Sequence, residues 1–129
     1  MIAVDASAVV ALLVDDAEFG SRSRAVYSQH DLAAPDLLFY EVTSALRKLC
    51  RLRAVATRAA DQALKDMALL RISTVPYENL GGRIWELREN VSAYDSAYVA
   101  VAEFFDVPLL TFDERLTRAP GPTCEFLAL

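Results

Sequence analysis

Four acidic residues, Asp5, Glu41, Asp95 and Asp113, occupy positions from which one metal-dependent site can be built. Carboxylates about 4 to 5 Å apart repel by roughly 3 to 4 kcal/mol per pair at an effective dielectric near 20, and a divalent cation removes that cost. Oxygen ligands without His or Cys suit Mg²⁺ or Mn²⁺ far better than Zn²⁺. An acidic cluster with open coordination positions is suited to phosphodiester chemistry.

Two of these acids directly follow predicted strands. Asp5 closes the short run Ile2–Val4, and Asp113 closes a strand predicted over 107–112. Strands alternate with helices along the chain, which predicts an α/β fold with a mostly parallel sheet covered on both faces. Ligands bind beyond the carboxyl ends of the strands in such sheets. The topology therefore places Asp5 and Asp113 at the binding edge.

Apolar spacing and helix-capping residues predict the remaining elements. The predicted strands cover 32–34, 72–75 and 124–127. The predicted helices cover 6–14, 22–29, 37–51 after an Asp36 N-cap, 57–70 with a Thr57 cap, 80–91, and 93–105 after Ser92. Gly81 and Gly82 fall inside the predicted helix over 80–91, so we expect close packing or a kink there.

Each acid also has a purely structural interpretation. Asp5 and Asp113 can cap the helices that follow them, and Asp95 stands three residues after Ser92, the spacing of a capping box. Glu41 falls at the border of the apolar face of its helix, where it would pair with an Arg or Lys at the rim. Each residue alone leaves both interpretations open, and the combination of all four favours the metal site.

Four segments of the sequence resemble the PIN domain. They are residues 2–8 (IAVDASA), 34–42 (APDLLFYEV), 94–98 (YDSAY) and 109–113 (LLTFD), and together they carry the four acids in the family's order. Within that family, the short chain is similar to the VapC-type toxins. The resemblance covers essentially the whole chain and implies one nuclease domain over 1–129.

The resemblance implies a three-layer α/β/α sandwich with the activity of an Mg²⁺- or Mn²⁺-dependent endoribonuclease. Asp5, Glu41, Asp95 and Asp113 would coordinate the metal and carry catalysis, in which a metal-activated water hydrolyses an RNA phosphodiester bond. Ser7 and Thr111 match the family's supporting polar positions. A cognate antitoxin that blocks the site and a homodimer are also implied.

The chain as a whole repels polyanions, because its formal net charge is −5. RNA would therefore need a local basic patch or a bound cation. The densest basic stretch comprises Arg47, Lys48, Arg51, Arg53 and Arg58. These residues either contact RNA phosphates or complement the dipole at a helix end. Arg115 and Arg118 are alternative phosphate contacts nearer the acids.

Composition excludes several classes of protein. With 129 residues, 54% hydrophobic and 24% charged, we expect one globular domain rather than a disordered chain. No apolar run approaches the roughly 18 residues of a membrane span, and Asp5 interrupts the apolar start, so we expect a cytoplasmic protein without a signal peptide. Cys50 and Cys124 stand far apart without the spacing of a zinc or redox motif, which predicts reduced, buried thiols.

Two other functions compete with a nuclease. A receiver-type signalling domain needs a lysine after a late strand, but the two lysines, Lys48 and Lys65, come too early in the chain. A PIN-like protein- or RNA-binding module without nuclease activity is the subtler alternative, and four intact acids argue against it. We expect Asp5→Asn or Asp95→Asn to abolish metal-dependent cleavage and to leave the metal-free protein equally or more stable.

Overall fold

The computed structural model describes residues 1–127, which form a sheet flanked by helices. Five strands are ordered β3-β2-β1-β4-β5, and every neighbouring pair is parallel. They are β1 (Ile2–Val4), β2 (Leu32–Pro35), β3 (Ile72–Val75), β4 (Leu109–Leu110) and β5 (Phe126–Leu127). The predicted α/β architecture with a parallel sheet is confirmed.

Seven α-helices and one 3₁₀ turn (Tyr77–Asn79) are described. The helices are α1 (Ala6–Val14), α2 (Glu18–Gln29), α3 (Leu37–Arg51), α4 (Thr57–Met67), α5 (Gly81–Glu86), α6 (Ala93–Phe105) and α7 (Glu114–Arg118). Helix α1 packs against α2, α3 and α4, while α6 packs on β1, β2 and β4 and against α5. All seven residues from 96 to 102 of α6 are buried, as expected of a helix at the centre of a core.

The strand order creates one reversal point in the sheet. From β1 the chain moves outward through β2 to β3, and then crosses to the other side of β1 to form β4 and β5. In open parallel sheets the ligand crevice lies outside the carboxyl ends of the strands at such a reversal. Asp5 directly follows β1 and Thr111 directly follows β4, so both residues lie at this point.

Several predicted element boundaries are wrong. Helix α2 begins at Glu18 instead of Arg22, with Phe19 and Gly20 in its first turn. Asp36 and Thr57 do not cap helices through their side chains: Asp36 already has helical backbone angles, and Thr57 is the first helical residue, after Ala56. Predicted strand 107–112 shrinks to Leu109–Leu110, and 124–127 shrinks to Phe126–Leu127, because few of these residues pair with a neighbour.

The predicted helix over 80–91 is also shorter. Helix α5 ends at Glu86, although Leu80, Ile84, Leu87 and Val91 are all buried as the spacing indicated. Gly81 opens this helix, and a Cβ there would lie 2.9 Å from the Tyr77 ring. The apolar period therefore located the buried positions, while close packing at Gly81 and the turns after Glu86 limit the helix.

Within residues 1–127, no helix is both long and apolar enough to span a bilayer. Cys50 and Cys124 are free thiols, but each is half-buried and not buried as predicted.

An ion pair fastens the C-terminal loop to α5 and α6. Arg83 donates from Nε to Glu103 Oε2 at 2.6 Å, from Nη2 to Glu103 Oε1 at 3.1 Å and from Nη2 to the Gly121 carbonyl at 2.9 Å. Thr123 donates its amide to the same carboxylate at 2.8 Å and its hydroxyl at 2.9 Å. Burial acts to raise the pKa of Glu103, but these hydrogen bonds and the Arg83 charge outweigh it, so the pKa is lowered.

We predict that Glu103→Gln lowers the free energy of unfolding by about 2 kcal/mol at pH 7, because charge-assisted hydrogen bonds are lost. A lowered pKa in the folded state means that the stabilisation is full above the ordinary Glu value of 4.5 and is lost as the pH falls through the lowered pKa. Urea unfolding at pH 7 and pH 3.5 measures this. Glu86→Gln, at the exposed partner of Arg83, is the control. Equal effects at both pH values would contradict the prediction.

Candidate active site

Asp5 is the most enclosed of the four acids, with only 7% of its surface exposed. It is the N-cap of α1, and its Oδ1 accepts from the Ala8 amide at 3.0 Å and from the Ser7 hydroxyl at 2.6 Å. Its Oδ2 accepts from the Thr111 hydroxyl. Burial raises the pKa of Asp5, and these three hydrogen bonds oppose the rise. The carboxylate is therefore held in a fixed orientation between β1 and β4.

Ser7 and Thr111 connect Asp5 to the segment that carries Asp113. The Phe112 amide donates to the Ser7 hydroxyl oxygen, and the Asp113 amide donates to the Thr111 hydroxyl oxygen, both at 3.0 Å. Asp113 in turn caps α7 by accepting from the Arg115 amide at 2.9 Å. The two hydroxyls thus bridge the segments that follow β1 and β4.

Glu41 lacks the basic partner that was considered for it from the sequence. It lies in the middle of α3, whose residues Leu38, Val42 and Leu46 are fully buried against the core. Its Oε1 is buried without a hydrogen-bond partner, and no Lys or Arg within residues 1–127 lies at ion-pair distance from it. The rim ion pair considered from the sequence is therefore not formed.

Asp95 lies in the first turn of α6. The Ser92 hydroxyl accepts from the Asp95 amide at 3.1 Å, which is the serine half of the predicted capping box. Burial raises the pKa of the Asp95 carboxyl, and the negative charge of Asp113 adds to the rise; the Ser92 hydroxyl and Arg115 oppose it. Among the neighbouring charges, that of Asp113, another acid of the cluster, therefore has the largest effect on Asp95.

The four acids interact electrostatically at the edge of the sheet. Burial raises the pKa of Glu41, and the charges of Asp95 and Asp5 raise it further, while the nearby Tyr98 hydroxyl lowers it. Asp95 also raises the pKa of Asp5. The structure thus brings carboxylates from four separate elements, β1, α3, α6 and the end of β4, within electrostatic range of one another.

The four acids do not stand close enough together to form a metal coordination shell. Among residues 1–127, no group of three or more His, Cys, Asp or Glu side chains stands close enough to hold a metal ion. Three observations still fit a hard divalent cation: an all-oxygen donor set, a buried and unpartnered Glu41 oxygen, and carboxyl pKa values raised partly by mutual repulsion. Cation binding would require the carboxylates to move closer together.

Tyr98 is not among the site residues predicted from the sequence, and the structure places it in the core beside Glu41. Its hydroxyl is buried without a hydrogen-bond partner. Burial raises its pKa, and the charges of Glu41, Asp5 and Asp95 add to this. Its spacing of three residues from Asp95 puts both side chains on one face of α6, a signal that identifies it as part of the site.

The basic residues divide into two groups. Arg115 is 94% exposed in its side chain and lies 3.8 Å from Asp113, and Arg118 pairs with Glu114 at 3.1 Å. Arg47, Lys48 and Arg51 instead line a cavity of about 690 Å³ that also includes Glu41. Arg53 and Arg58 are exposed and lie outside that lining.

We predict that Thr111→Val destabilises the protein by about 1 to 3 kcal/mol, because Asp5 Oδ2 and the Asp113 amide both lose their partner. Thr111→Ser keeps the hydroxyl and serves as the matched control. Guanidinium unfolding of the two variants measures the difference. Equal stability of Thr111→Val and the wild-type protein would show that the bridge between β1 and β4 contributes nothing.

Comparison with known proteins gives one consistent family. The model of the PIN domain matches residues 2–122. The VapC ribonuclease Mb0985 of Mycobacterium bovis is 36% identical over 124 residues, covering 96% of this chain and 94% of that protein. The ribonuclease VapC1 of Mycobacterium tuberculosis is 39% identical over 123 residues, covering 95% of this chain and 92% of that protein.

A solved structure shows the same fold. The crystal structure of Mycobacterium tuberculosis VapC20, described as a sarcin-ricin loop cleaving toxin, matches with a TM-score of 0.69 at 18% sequence identity. The match covers 90% of this chain and 92% of VapC20. The parallel sheet and its flanking helices are therefore an architecture shared with a solved VapC protein.

Proposed function

Since the chain belongs to the PIN domain family and, within it, to the VapC ribonucleases, we propose that it is a divalent-metal-dependent endoribonuclease. The observation that carries this proposal is the group of four carboxylates at the reversal point of the sheet, where Glu41 Oε1 is buried without a partner. An unpartnered buried acceptor is costly unless a ligand satisfies it.

Asp5, Glu41, Asp95 and Asp113 are the residues that would hold Mg²⁺ or Mn²⁺. When bound, the cation activates a water for attack on phosphorus and stabilises negative charge on the phosphoryl oxygens. The Ser7 and Thr111 hydroxyls fix the orientation of the Asp5 carboxylate. Arg115, exposed beside Asp113, is positioned to contact a phosphate that reaches the acids.

We also propose that the chain acts as the toxin of a toxin-antitoxin pair. VapC20, which has the same fold, is described as a toxin, and the chain spans nearly the full length of its VapC relatives. A cognate antitoxin that covers the acidic site, and a homodimer, complete this proposal. The toxin description of VapC20 supports the antitoxin partner, and the homodimer is what the resemblance to VapC-type toxins implies.

A binding module without nuclease activity is the alternative, and one observation favours it. Asp5 and Asp113 each cap a helix, so both have a structural reason to be present without any catalysis. Glu41 has no such reason, because its buried oxygen is unpartnered. Glu41 and Asp95 are therefore the residues that distinguish a nuclease from a binding module.

Cleavage of end-labelled total cellular RNA tests the proposal. Purified wild-type protein is compared in Mg²⁺, in Mn²⁺ and in EDTA, and Glu41→Gln, purified identically, controls for contaminating nucleases. Discrete fragments that require metal and disappear in Glu41→Gln are expected. If folded protein free of antitoxin cuts nothing, or cuts equally after Glu41→Gln, the alternative is favoured.

A further inference from the structure

Two open cavities meet at Glu41 and Ser44 on helix α3. The first has a volume of about 690 Å³ and runs toward the C-terminal end of α3, past Arg47, Lys48 and Arg51. The second has a volume of about 470 Å³ and runs toward the start of α6, past Tyr40, Tyr94 and Asp95. Because they share Glu41 and Ser44, the two cavities adjoin, and we call their combined surface the α3 groove; Glu41 and Asp95 are the acids of the cluster that line it.

The cations of the α3 groove are free of protein partners. Within residues 1–127, six Lys and Arg side chains make neither a hydrogen bond nor an ion pair, and all six lie between residues 47 and 65: Arg47, Lys48, Arg51, Arg53, Arg58 and Lys65. The dipole of α3 favours Lys48 and Arg51 near its end. The dipole does not account for their sharing a cavity with Glu41.

The other half of the groove is aromatic. Tyr40 is 77% exposed and Tyr94 is 65% exposed, and both line the cavity that holds Glu41 and Asp95. Exposed aromatic rings beside a cationic track are the combination that binds single-stranded nucleic acid, because bases stack on the rings while cations hold phosphates. An acidic peptide has phosphate-like charge but no bases, so it would leave the tyrosines unused.

We propose that the α3 groove is the track for single-stranded RNA. Phosphates on one side of the cleaved bond contact Arg47, Lys48 and Arg51, and bases on the other side stack on Tyr40 and Tyr94. By helix rise, Arg47 lies about 9 Å and Arg51 about 15 Å along the α3 axis from Glu41, a distance of a few nucleotides. This inference rests on the proposed ribonuclease function and states how the RNA substrate lies in the α3 groove.

Binding without cleavage tests the cationic half. The fluorescence anisotropy of a short labelled single-stranded RNA of mixed sequence is measured in EDTA over a range of salt concentrations. Lys48→Ala/Arg51→Ala is compared with Arg58→Ala/Lys65→Ala, which removes the same two unpaired charges outside the groove. We expect the first pair to weaken binding about twentyfold at about 0.1 M salt and to lower the slope of log K against log salt by about 1.4. The control pair changes both quantities far less.

The aromatic half has its own variants. Tyr40→Ala is expected to weaken binding about tenfold without changing the salt slope, whereas Tyr40→Phe, which keeps the ring, binds like the wild type. Trp85→Ala, at an exposed aromatic outside the groove, is the control and should have no effect. Thermal unfolding of every variant checks that the fold is intact.

Equal effects of the two charge pairs would overturn the proposal, and so would an unchanged affinity for RNA in Tyr40→Ala. Labelled poly-glutamate is titrated in parallel. If Lys48→Ala/Arg51→Ala loses poly-glutamate binding but keeps RNA binding, the groove binds a protein segment, and the RNA proposal is overturned as well.

Cleavage in Mg²⁺ separates this inference from the proposed ribonuclease function. If the wild type cuts RNA while the variants bind normally, this inference fails and the ribonuclease function stands; if binding falls as expected but nothing is cut, the RNA track stands and the ribonuclease function fails.

Discussion

Replacing Asp95 by Asn is expected to reduce the rate of RNA cleavage about 10²- to 10³-fold, the scale on which a preorganised charge-stabilising group contributes to catalysis. The metal-free fold should remain as stable as the wild type or become slightly more stable. The reason is that burial and the charge of Asp113 raise the pKa of Asp95, so its ionised form is disfavoured in the folded protein. Single-turnover cleavage and urea unfolding in EDTA measure the two effects.

The pH dependence of stability gives a second readout for Asp95. A carboxyl whose pKa is raised on folding contributes stability that is lost as the pH rises through that pKa. Any stability gained in Asp95→Asn should therefore be present at pH 7 and vanish as the pH falls toward the ordinary Asp value of 3.8. Asp61→Asn, on the exposed face of α4, is the control. Normal cleavage by Asp95→Asn, or a large loss of its stability in EDTA, would show that Asp95 is structural.

Replacing Asp5 by Ala is expected to abolish cleavage and also to lower the free energy of unfolding by about 3 kcal/mol. The variant loses the N-cap of α1 and leaves the buried Thr111 hydroxyl without its acceptor. The sequence alone predicts that Asp5→Asn leaves the metal-free protein equally or more stable. The helix cap and the hydrogen bond from Thr111 give this carboxylate a structural role, so we expect Asp5→Asn to lose some stability instead. Asn offers one acceptor oxygen where Asp5 accepts at both.

The matched comparison for Asp5 is Asp95→Ala, which removes an acid of the same cluster without removing a helix cap. Guanidinium unfolding in EDTA should show a loss of stability for Asp5→Ala several times larger than for Asp95→Ala. Asp5→Asn, which can still accept from the Ala8 amide, should lie between them. If the two alanine variants lose the same stability, the hydrogen bonds to Asp5 do not hold β1 to β4 as described.

The acids at strand ends were predictable because topology alone decides where they lie. Asp5 and Asp113 follow β1 and β4, and parallel strands bring their carboxyl ends to one edge of the sheet. Glu41 was located by helical periodicity, which placed it at the border of the apolar face of α3. Its unpartnered Oε1 was not predictable, because the ion pair considered for it depends on where neighbouring elements put their cations.

Other features that the sequence did not predict also depend on contacts within one part of the fold. A strand of two residues such as Leu109–Leu110 exists only through its pairing with β1 and β5, so no periodicity within 107–112 could set its ends. The exposed ring of Tyr40 beside Glu41 and Asp95 was not predictable, because the cavity it lines exists only through the packing of α3 next to the start of α6. Tyr94 and Tyr98 share a helical spacing, yet one is exposed and the other is in the core, since α6 is buried along its middle.

Calorimetric titration of Mn²⁺ into the metal-free protein tests the central claim, that the four carboxylates form a cation site. We expect saturable binding that is lost or greatly weakened in Glu41→Gln and Asp95→Asn and is unchanged in Asp61→Asn. Because Mn²⁺ would bind the folded protein and not the unfolded chain, it should also stabilise the fold. If Mn²⁺ does not bind, or binds equally to the wild type and to Glu41→Gln, the acids at the sheet edge are not a metal site.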